Sequence, residues 1–552
     1  MAFSFKGLNK SMWKSHKQTK DLLTMAEIRQ GGAAAVDSPR SGKQRTSNIA
    51  DEKTQRNDSY NLMQKIGFFL GPLLFFIILF ALPLSDLSFE GKAVLAVTAW
   101  MAVWWISEAI PLGITSLMPL VLLPVLGAVD AATTASSYGD NLIFLFVGGF
   151  ALALALERWN LHERIALTII SAVGASTSGL VLGFMLATGF LSMWVSNMAT
   201  VMLMIPIGTA IIAKVVTLMK EDNVYSKDEE TKFTKSIIFA IGFGGTIGGS
   251  ATLIGTPTNL ILAGLAGELL GIEISFAQFF LFAFPLVSML MIVAILYITK
   301  IAYPMNVKKI TNGKQFVTDR KKELGKMSYE EKIVLAIFSF TAFMWMTRTF
   351  IWSDIIPGLS DTMIAMVAAI LLHAIPASGN TGERLLGGDS LKNMPWGVLL
   401  LVGGGLALAA GFNGTDLAGW IGNQLLLLEG TSYIVILTAT ALLGIAMTQM
   451  TPNTATVTIL VPIAAALALA IDVHPLPLMT AVAMGAGFAF MLPIGTPSNA
   501  IIFATGKITM IDMVRKGTGL TLLALILVTL FVYFVLPVVF GINQHEYPAN
   551  LK

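Results

Sequence analysis

Apolar residues run through this chain in long blocks, broken by short polar clusters. Ile66–Leu84, Leu281–Ile298, Ile333–Met346 and Leu520–Val539 each approach the roughly 20 apolar residues that a helix needs to cross a bilayer. The pattern predicts an all-α polytopic membrane protein. The expected layout is about eleven transmembrane helices plus two hairpins that enter the membrane and return.

The polar interruptions repeat. Ser196-Asn197-Met198-Ala199-Thr200-Val201 leads to Ile205-Pro206-Ile207, and Pro452-Asn453-Thr454-Ala455-Thr456-Val457 leads to Val461-Pro462-Ile463, 256 residues later. Gly255-Thr256-Pro257-Thr258-Asn259 is matched by Gly495-Thr496-Pro497-Ser498-Asn499 at an offset of 240. Phe146–Ala153 resembles Leu401–Leu408 at an offset of 255. One duplicated unit, with the charged loop at 214–235 shortened in its second copy, accounts for all three offsets. The expected layout is a polar tail over 1–65, a first repeat over 66–300, a linker over 301–332, a second repeat over 333–540 and an extracytoplasmic end over 541–552.

Charge orients this layout. Residues 1–65 carry twelve Lys/Arg against six Asp/Glu, and Lys300–Lys332 carries nine Lys/Arg. Both are expected on the cytoplasmic side, with the C-terminus outside. The protein is placed in the cell (inner) membrane. Phe3–Leu23 reads as a solvated tail or a basic helix on the membrane surface, and residues 30–58 as disordered. No apolar h-region opens the chain, so no cleavable signal peptide is expected. An odd number of crossings between the repeats would invert the second relative to the first, with a site near the midplane.

Composition narrows the chemistry. The chain is 55% hydrophobic and 12% charged, against about 25% charged in a soluble domain. It has no cysteine, which excludes disulfides and thiolate metal sites. Five scattered histidines form no metal spacing. No cofactor and no nucleic-acid partner are expected. An enzyme would need a nucleophile–base or metal pair, and a channel a filter motif or charged pore stripe; neither pattern is present. Breaks at the paired motifs would offer carbonyls, hydroxyls and Asn oxygens to a small hard cation, and helix N-termini and amide donors to a carboxylate. Glu108, before Pro111, reads as orienting a helix end, with a proton or cation ligand as the other reading. His373 reads as a satisfied structural histidine. Asp361 is expected to cap a helix starting at Thr362.

Ser107-Glu108-Ala109-Ile110-Pro111, Thr115 to Pro119, Gly358-Leu359-Ser360-Asp361 and the paired Asn and Gly-Thr-Pro motifs together resemble the divalent-anion:sodium symporter family over about residues 65–540. The resemblance implies an elevator-type homodimer in the lipid bilayer that imports C4-dicarboxylates such as succinate, malate or fumarate with Na+. A sodium-independent dicarboxylate or citrate exchanger and a sulfate symporter are the alternatives. It implies one sodium site at Ser192, Ser196, Asn197 and Gly255, and another at Thr448, Thr451, Asn453 and Gly495. Substrate would meet Asn197, Met198, Thr256, Pro257, Asn453, Thr454, Thr496 and Pro497. Two positions depart from the family pattern. Met198 stands where a hydroxyl is usual, and Pro452 where a serine is usual.

Overall fold

The computed structural model describes residues 61–84, 86–174, 176–221, 225–305, 321–378, 382–426 and 430–548. Phe3–Leu23, read as a solvated tail or a surface helix, the stretch 30–58 and the middle of the basic linker at 306–320 lie outside these residues. Among the described residues the fold is all-helical, and pairing is limited to an isolated bridge between Pro376 and Arg384. Among the described residues, nine helices are long and apolar enough to cross a membrane. Six shorter apolar helices of 10–17 residues accompany them, and four of these start or stop at the polar motifs.

The helices that position the site occur as two similar series. In the first, α1 (Asn141–Arg158) and α2 (Leu161–Val173) lead to α3 (Thr177–Ser192), α4 (Asn197–Glu221), α5 (Lys227–Gly249), α6 (Pro257–Leu270) and α7 (Phe276–Leu296). After α8 (Tyr329–Thr347) and α9 (Asp361–Ala374), the second series follows. It comprises α10 (Trp396–Gly414), α11 (Leu417–Leu425), α12 (Tyr433–Thr448), α13 (Asn453–Ala470), α14 (Pro475–Gly487), α15 (Pro497–Ala504) and α16 (Met510–Phe534).

Each series is held by backbone-to-backbone packing at glycine. Lipid tails supply no hydrophobic drive between helices, so close approach and dispersion must hold them. A Cβ on Gly244 of α5 would stand 2.8 Å from the Met185 carbonyl oxygen of α3, and one on Gly248 would overlap the backbone of Gly189. In the second series a Cβ on Gly485 of α14 would stand 2.6 Å from the Ala441 carbonyl oxygen of α12. The two α5-like helices therefore correspond at an offset of 241, one more than the Gly-Thr-Pro motifs. The stretch between that packing and the motif is one residue shorter in the second series.

Sequence expectations meet mixed outcomes. His373 is satisfied as expected, with Nδ1 2.8 Å from the Ala369 carbonyl and Nε2 2.8 Å from Ser390 Oγ. Glu108 takes the left-handed φ of 47° at the end of the helix Phe89–Ser107, and its carbonyl accepts from Gln64 Nε2 at 3.2 Å. Asp361 differs from expectation. The helix starts at Asp361, one residue earlier, and its cap is Ser360, which accepts from the Met363 N–H at 3.2 Å. The Asp361 carboxylate instead reaches across the fold. It accepts from the Phe276 N–H at the start of α7 at 2.7 Å and stands 2.6 Å from Arg348 Nε. Arg348 also donates to Glu273 at 3.0 Å and to the Leu359 carbonyl at 3.2 Å. This clamp joins the ends of α7, α8 and α9.

Removing one partner leaves the other charge buried, which costs about 3–5 kcal/mol. Asp361→Ala is expected to lower the melting temperature in detergent markedly. The double variant Arg348→Met, Asp361→Leu is expected to recover much of that loss.

Candidate functional site

The two Asn motifs lie at helix starts. Asn197 opens α4 and Asn453 opens α13, each across a short non-helical tip from the preceding arm, α3 or α12. At the first tip, Ser192 Oγ is 2.6 Å from Asn197 Oδ1 and 2.7 Å from the Gly245 carbonyl oxygen. At the second, Thr448 Oγ1 is 2.6 Å from Asn453 Oδ1 and 2.9 Å from the Ala486 carbonyl oxygen.

Each of these oxygen triads has a single proton. The hydroxyl can donate to the amide oxygen or to the carbonyl, but not to both. An amide has the same outline either way round. The triad is therefore satisfied in two ways: the amide turns its NH2 toward the hydroxyl, or a cation enters among the oxygens.

The Gly-Thr-Pro motifs are breaks between half-helices, with Pro257 and Pro497 at the first turn of α6 and α15. Proline is tolerated there because that N–H has no helical partner. Free carbonyls at the breaks are held by one side chain in each copy. Asn259 Nδ2 donates to the carbonyls of Thr252, at 2.7 Å, and Ser250, at 3.3 Å. Asn499 Nδ2 donates to Ala489 at 2.9 Å and Leu492 at 3.0 Å. Both asparagines are buried. This pinning role was not anticipated from the sequence, although an Asn three residues after Thr in both copies was the available signal.

Tips and breaks are tied to each other. Thr252 Oγ1 donates to the Met193 carbonyl at 2.5 Å and accepts from the Gly255 N–H at 3.0 Å. In the second copy Gln449 Oε1 accepts from the Met491 N–H at 3.1 Å. Gly255 packs on the Gly249 carbonyl so closely that a Cβ would overlap it, and a Cβ on Gly249 would overlap the Asn197 amide. Gly495 lies against the Thr448 carbonyl, where a Cβ would stand 3.1 Å away. The expected residues Ser192, Asn197 and Gly255 thus share one locus, and Thr448, Asn453 and Gly495 another.

The two departures have visible consequences. Ser196 Oγ caps α4 by accepting from the Ala199 N–H at 3.3 Å. Pro452 has no hydroxyl, but its carbonyl accepts from the Thr456 N–H at 3.1 Å. The second tip carries its hydroxyls at Thr451 and Thr456, 2.6 Å apart, where the first has Val195 and Thr200. Met198 is 49% exposed, so the thioether projects from the tip rather than filling the packed interior. Thr454 has its carbonyl engaged by Thr458 Oγ1 at 2.9 Å. Thr256 Oγ1 lies 3.2 Å from Thr258 Oγ1, and Thr496 Oγ1 accepts from the Asn499 N–H at 3.2 Å.

The half-helices cross over between copies. α6 packs on α13 and α14 of the second series, and α15 packs on α4 and α5 of the first. Each break thus sits beside the other copy's tip elements. Residues 192–200, 245–259, 448–456 and 486–499 contain no ionisable side chain.

A family model described as the transmembrane region of sodium:sulfate symporters matches residues 64–541. The chain belongs to the divalent-anion:sodium symporter family. It is 46% identical over 502 residues to the sodium-dependent dicarboxylate transporter SdcS of Staphylococcus saprophyticus, covering 90% of this chain and 96% of that one. It is 46% identical over 504 residues to SdcS of Staphylococcus aureus strain bovine RF122 / ET3-1, covering 91% and 96%. Among solved structures, MtrF of Neisseria gonorrhoeae, from a class of antimetabolite efflux pumps, matches with a TM-score of 0.49 at 14% identity, over 73% of this chain and 83% of that one. At that level the likeness supports no argument about this chain. Family membership and the apolar helices make it a multi-pass membrane protein.

Asn259→Leu strips the donor from two buried carbonyls, at about 1–3 kcal/mol each. It is expected to lower thermal stability and abolish transport together, measured by melting temperature and uptake in proteoliposomes. Asn499→Leu is expected to do the same.

Proposed function

We propose that the chain is a sodium-coupled symporter that imports C4-dicarboxylates such as succinate, malate or fumarate. The observation that carries this reading is the pair of proton-poor oxygen triads, beside helix breaks, with no ionisable side chain in either. The relatives named sodium-dependent dicarboxylate transporters, 46% identical over nearly their whole length, supply the substrate class and the coupling ion.

One cation site uses Ser192, Ser196, Asn197 and Gly255, and the other Thr448, Thr451, Asn453 and Gly495. Between them the dicarboxylate meets the amides of Asn197 and Asn453, the hydroxyls of Thr256, Thr454 and Thr496, and surfaces shaped by Pro257, Pro497 and Met198. A dianion leaving water needs positive charge at its destination. Lys and Arg are absent from the motifs, so helix N-termini and bound cations must supply it. Unit charges about 4 Å apart attract by about 4 kcal/mol at an effective dielectric constant of about 20. That strength is enough for each cation to raise anion affinity by orders of magnitude, and by linkage the anion raises cation affinity equally.

The chain is taken as two inverted halves, 66–300 and 333–540, joined by a cytoplasmic linker at 301–332. About eleven crossings and two re-entrant hairpins, a cytoplasmic N-terminus and an extracytoplasmic C-terminus complete the layout. The basic residues concentrated in the tail and linker support that orientation. The transporter works as a homodimer with an elevator motion of the part that carries both triads.

Radiolabelled succinate uptake into proteoliposomes tests the reading. An inward sodium gradient is expected to drive accumulation, and potassium in its place is not. Uptake that ignores sodium and requires internal dicarboxylate would make the protein an exchanger. Asn453→Ala is expected to abolish uptake while leaving expression intact; normal uptake would refute the site. Met198→Thr is expected to change the preference among succinate, citrate and sulfate more than the dependence on sodium, which competition of each anion against labelled succinate would show.

A further inference from the structure

Two cations stand unpaired inside helices of membrane-spanning length. Arg515 is in the second turn of α16, and Lys300 is in the wider π-helical turn Tyr297–Ala302 that ends α7. Both lie within spans long and apolar enough to cross a membrane, and both are exposed. Arg158, Arg164, Arg348 and Arg384 each donate a hydrogen bond within the protein. Among the described residues, the side chains of Arg515 and Lys300 meet neither a hydrogen-bond acceptor nor a carboxylate.

The apolar surface continues past these charges. Ile511, one turn nearer the start of α16 than Arg515, is 75% exposed, and Ile301, just beyond Lys300, is 69% exposed. Leu522 and Leu296, on the other side of the two cations, are exposed as well. The charges therefore sit within the apolar band at its edge, not in water beyond it. An ionised side chain at that depth needs a counter-charge or the headgroup layer.

Helix packing brings the two cations to one corner. α7 and α16 are neighbours. A Cβ on Gly519 would overlap the Tyr297 hydroxyl, and Lys516 Nζ lies 5.4 Å from the centre of the Tyr303 ring. The two helices are thus antiparallel here, with 519 at 297 and 516 at 303. Arg515 is one turn before Gly519 on the same face of α16. Lys300 is three residues past Tyr297, in the same direction across the membrane. Arg515, Lys300 and Lys516 gather round the Tyr297 hydroxyl, which has no hydrogen-bond partner among the described residues. Residues 289–305 and 505–522 contain one carboxylate, Asp512, and Lys235 takes it at 2.8 Å.

We propose that this corner binds the headgroup phosphate of an anionic phospholipid. Arg515 and Lys300 are its main contacts, and Tyr297 donates its hydroxyl. A guanidinium fork matches two phosphate oxygens. The occupant is a lipid because apolar side chains flank the cations on both sides and meet acyl chains there. It is anionic because a zwitterionic headgroup brings an ammonium that Lys516 repels. In the orientation proposed above the lipid belongs to the cytoplasmic leaflet, where anionic headgroups attract basic residues next to membrane helices. Occupancy bears on transport through α16. Gly517, two residues past Arg515, packs so closely on the Phe490 carbonyl that a Cβ would overlap it. Phe490 lies in the second helix break, where Gln449 of the second tip accepts from the Met491 N–H. Anchoring the start of α16 at a headgroup steadies the break behind it.

The test titrates the full chain in detergent with phosphatidylglycerol, phosphatidylcholine or soluble glycerol 3-phosphate and follows the melting temperature. Phosphatidylglycerol is expected to stabilise the wild type, and the other two are not. Arg515→Gln and Lys300→Gln are each expected to raise its half-stabilising concentration about fivefold, the share of one basic contact. Lys332→Gln removes an exposed cation from the start of α8, outside the corner, and is expected to match the wild type. If Arg515→Gln does not fold, Lys300→Gln carries the same test from the other helix. Succinate uptake into phosphatidylcholine vesicles is expected to rise when phosphatidylglycerol is included, for wild type and Lys332→Gln but not for Arg515→Gln. Equal shifts in all three variants would reduce the corner to general surface charge and overturn the site, as would no shift in any. Equal stabilisation by glycerol 3-phosphate would make the ligand a soluble anion and overturn the lipid. A wild type that is stabilised by phosphatidylglycerol as expected but moves no succinate would support the site and fail the transport reading instead.

Discussion

A backbone that leaves its helix inside a membrane must find partners within the protein, because the lipid offers none. That constraint governs this fold. Two helices are interrupted, and in each an asparagine one turn beyond the gap donates both of its amide hydrogens to carbonyls freed by the break. With the breaks pinned, the glycines at 255 and 495 can press against backbone, and the hydroxyl–amide–carbonyl triads at the tips are set at fixed distances. Everything polar in the membrane-buried interior of these motifs is thereby neutral.

Neutrality decides the chemistry. A pocket lined with arginine would hold a dianion by itself, and a pocket lined with carboxylates would hold cations by themselves. Oxygen triads short of protons, beside helix N-termini, hold neither well alone. Under the proposed function the two ligands complete each other, and the coupling is built into the electrostatics of the site. The two copies divide this work unequally. The second tip has moved its hydroxyl to Thr451 and pairs it with Thr456, while the first keeps Ser196 as a helix cap and leaves Thr200 without a partner.

Much of this was legible in the sequence because polar residues stand out against an apolar chain. The all-helical class and an interruption at each of the four paired motifs could be read from pattern alone; which are tips and which are breaks followed from the family resemblance. Backbone atoms could not. The Gly245 and Ala486 carbonyls complete the triads, yet a carbonyl has no signature in a one-letter code, and the offset of 241 that relates them differs from the 240 of the nearby motif. Asp361 follows Gly358-Leu359-Ser360 and in sequence reads as a local cap. Ser360 does the capping, and the carboxylate serves Arg348 and the Phe276 N–H, partners 13 and 85 residues away. Local reasoning cannot see a partner at that distance.

The central claim is that a neutral pocket takes its anion only in the company of sodium. Equilibrium binding of labelled succinate to the purified protein, across a series of sodium concentrations at constant ionic strength with potassium as the replacement, tests it most directly. The account predicts no measurable succinate binding in potassium, and an affinity that climbs steeply with sodium. The same succinate affinity in potassium and in sodium would contradict it.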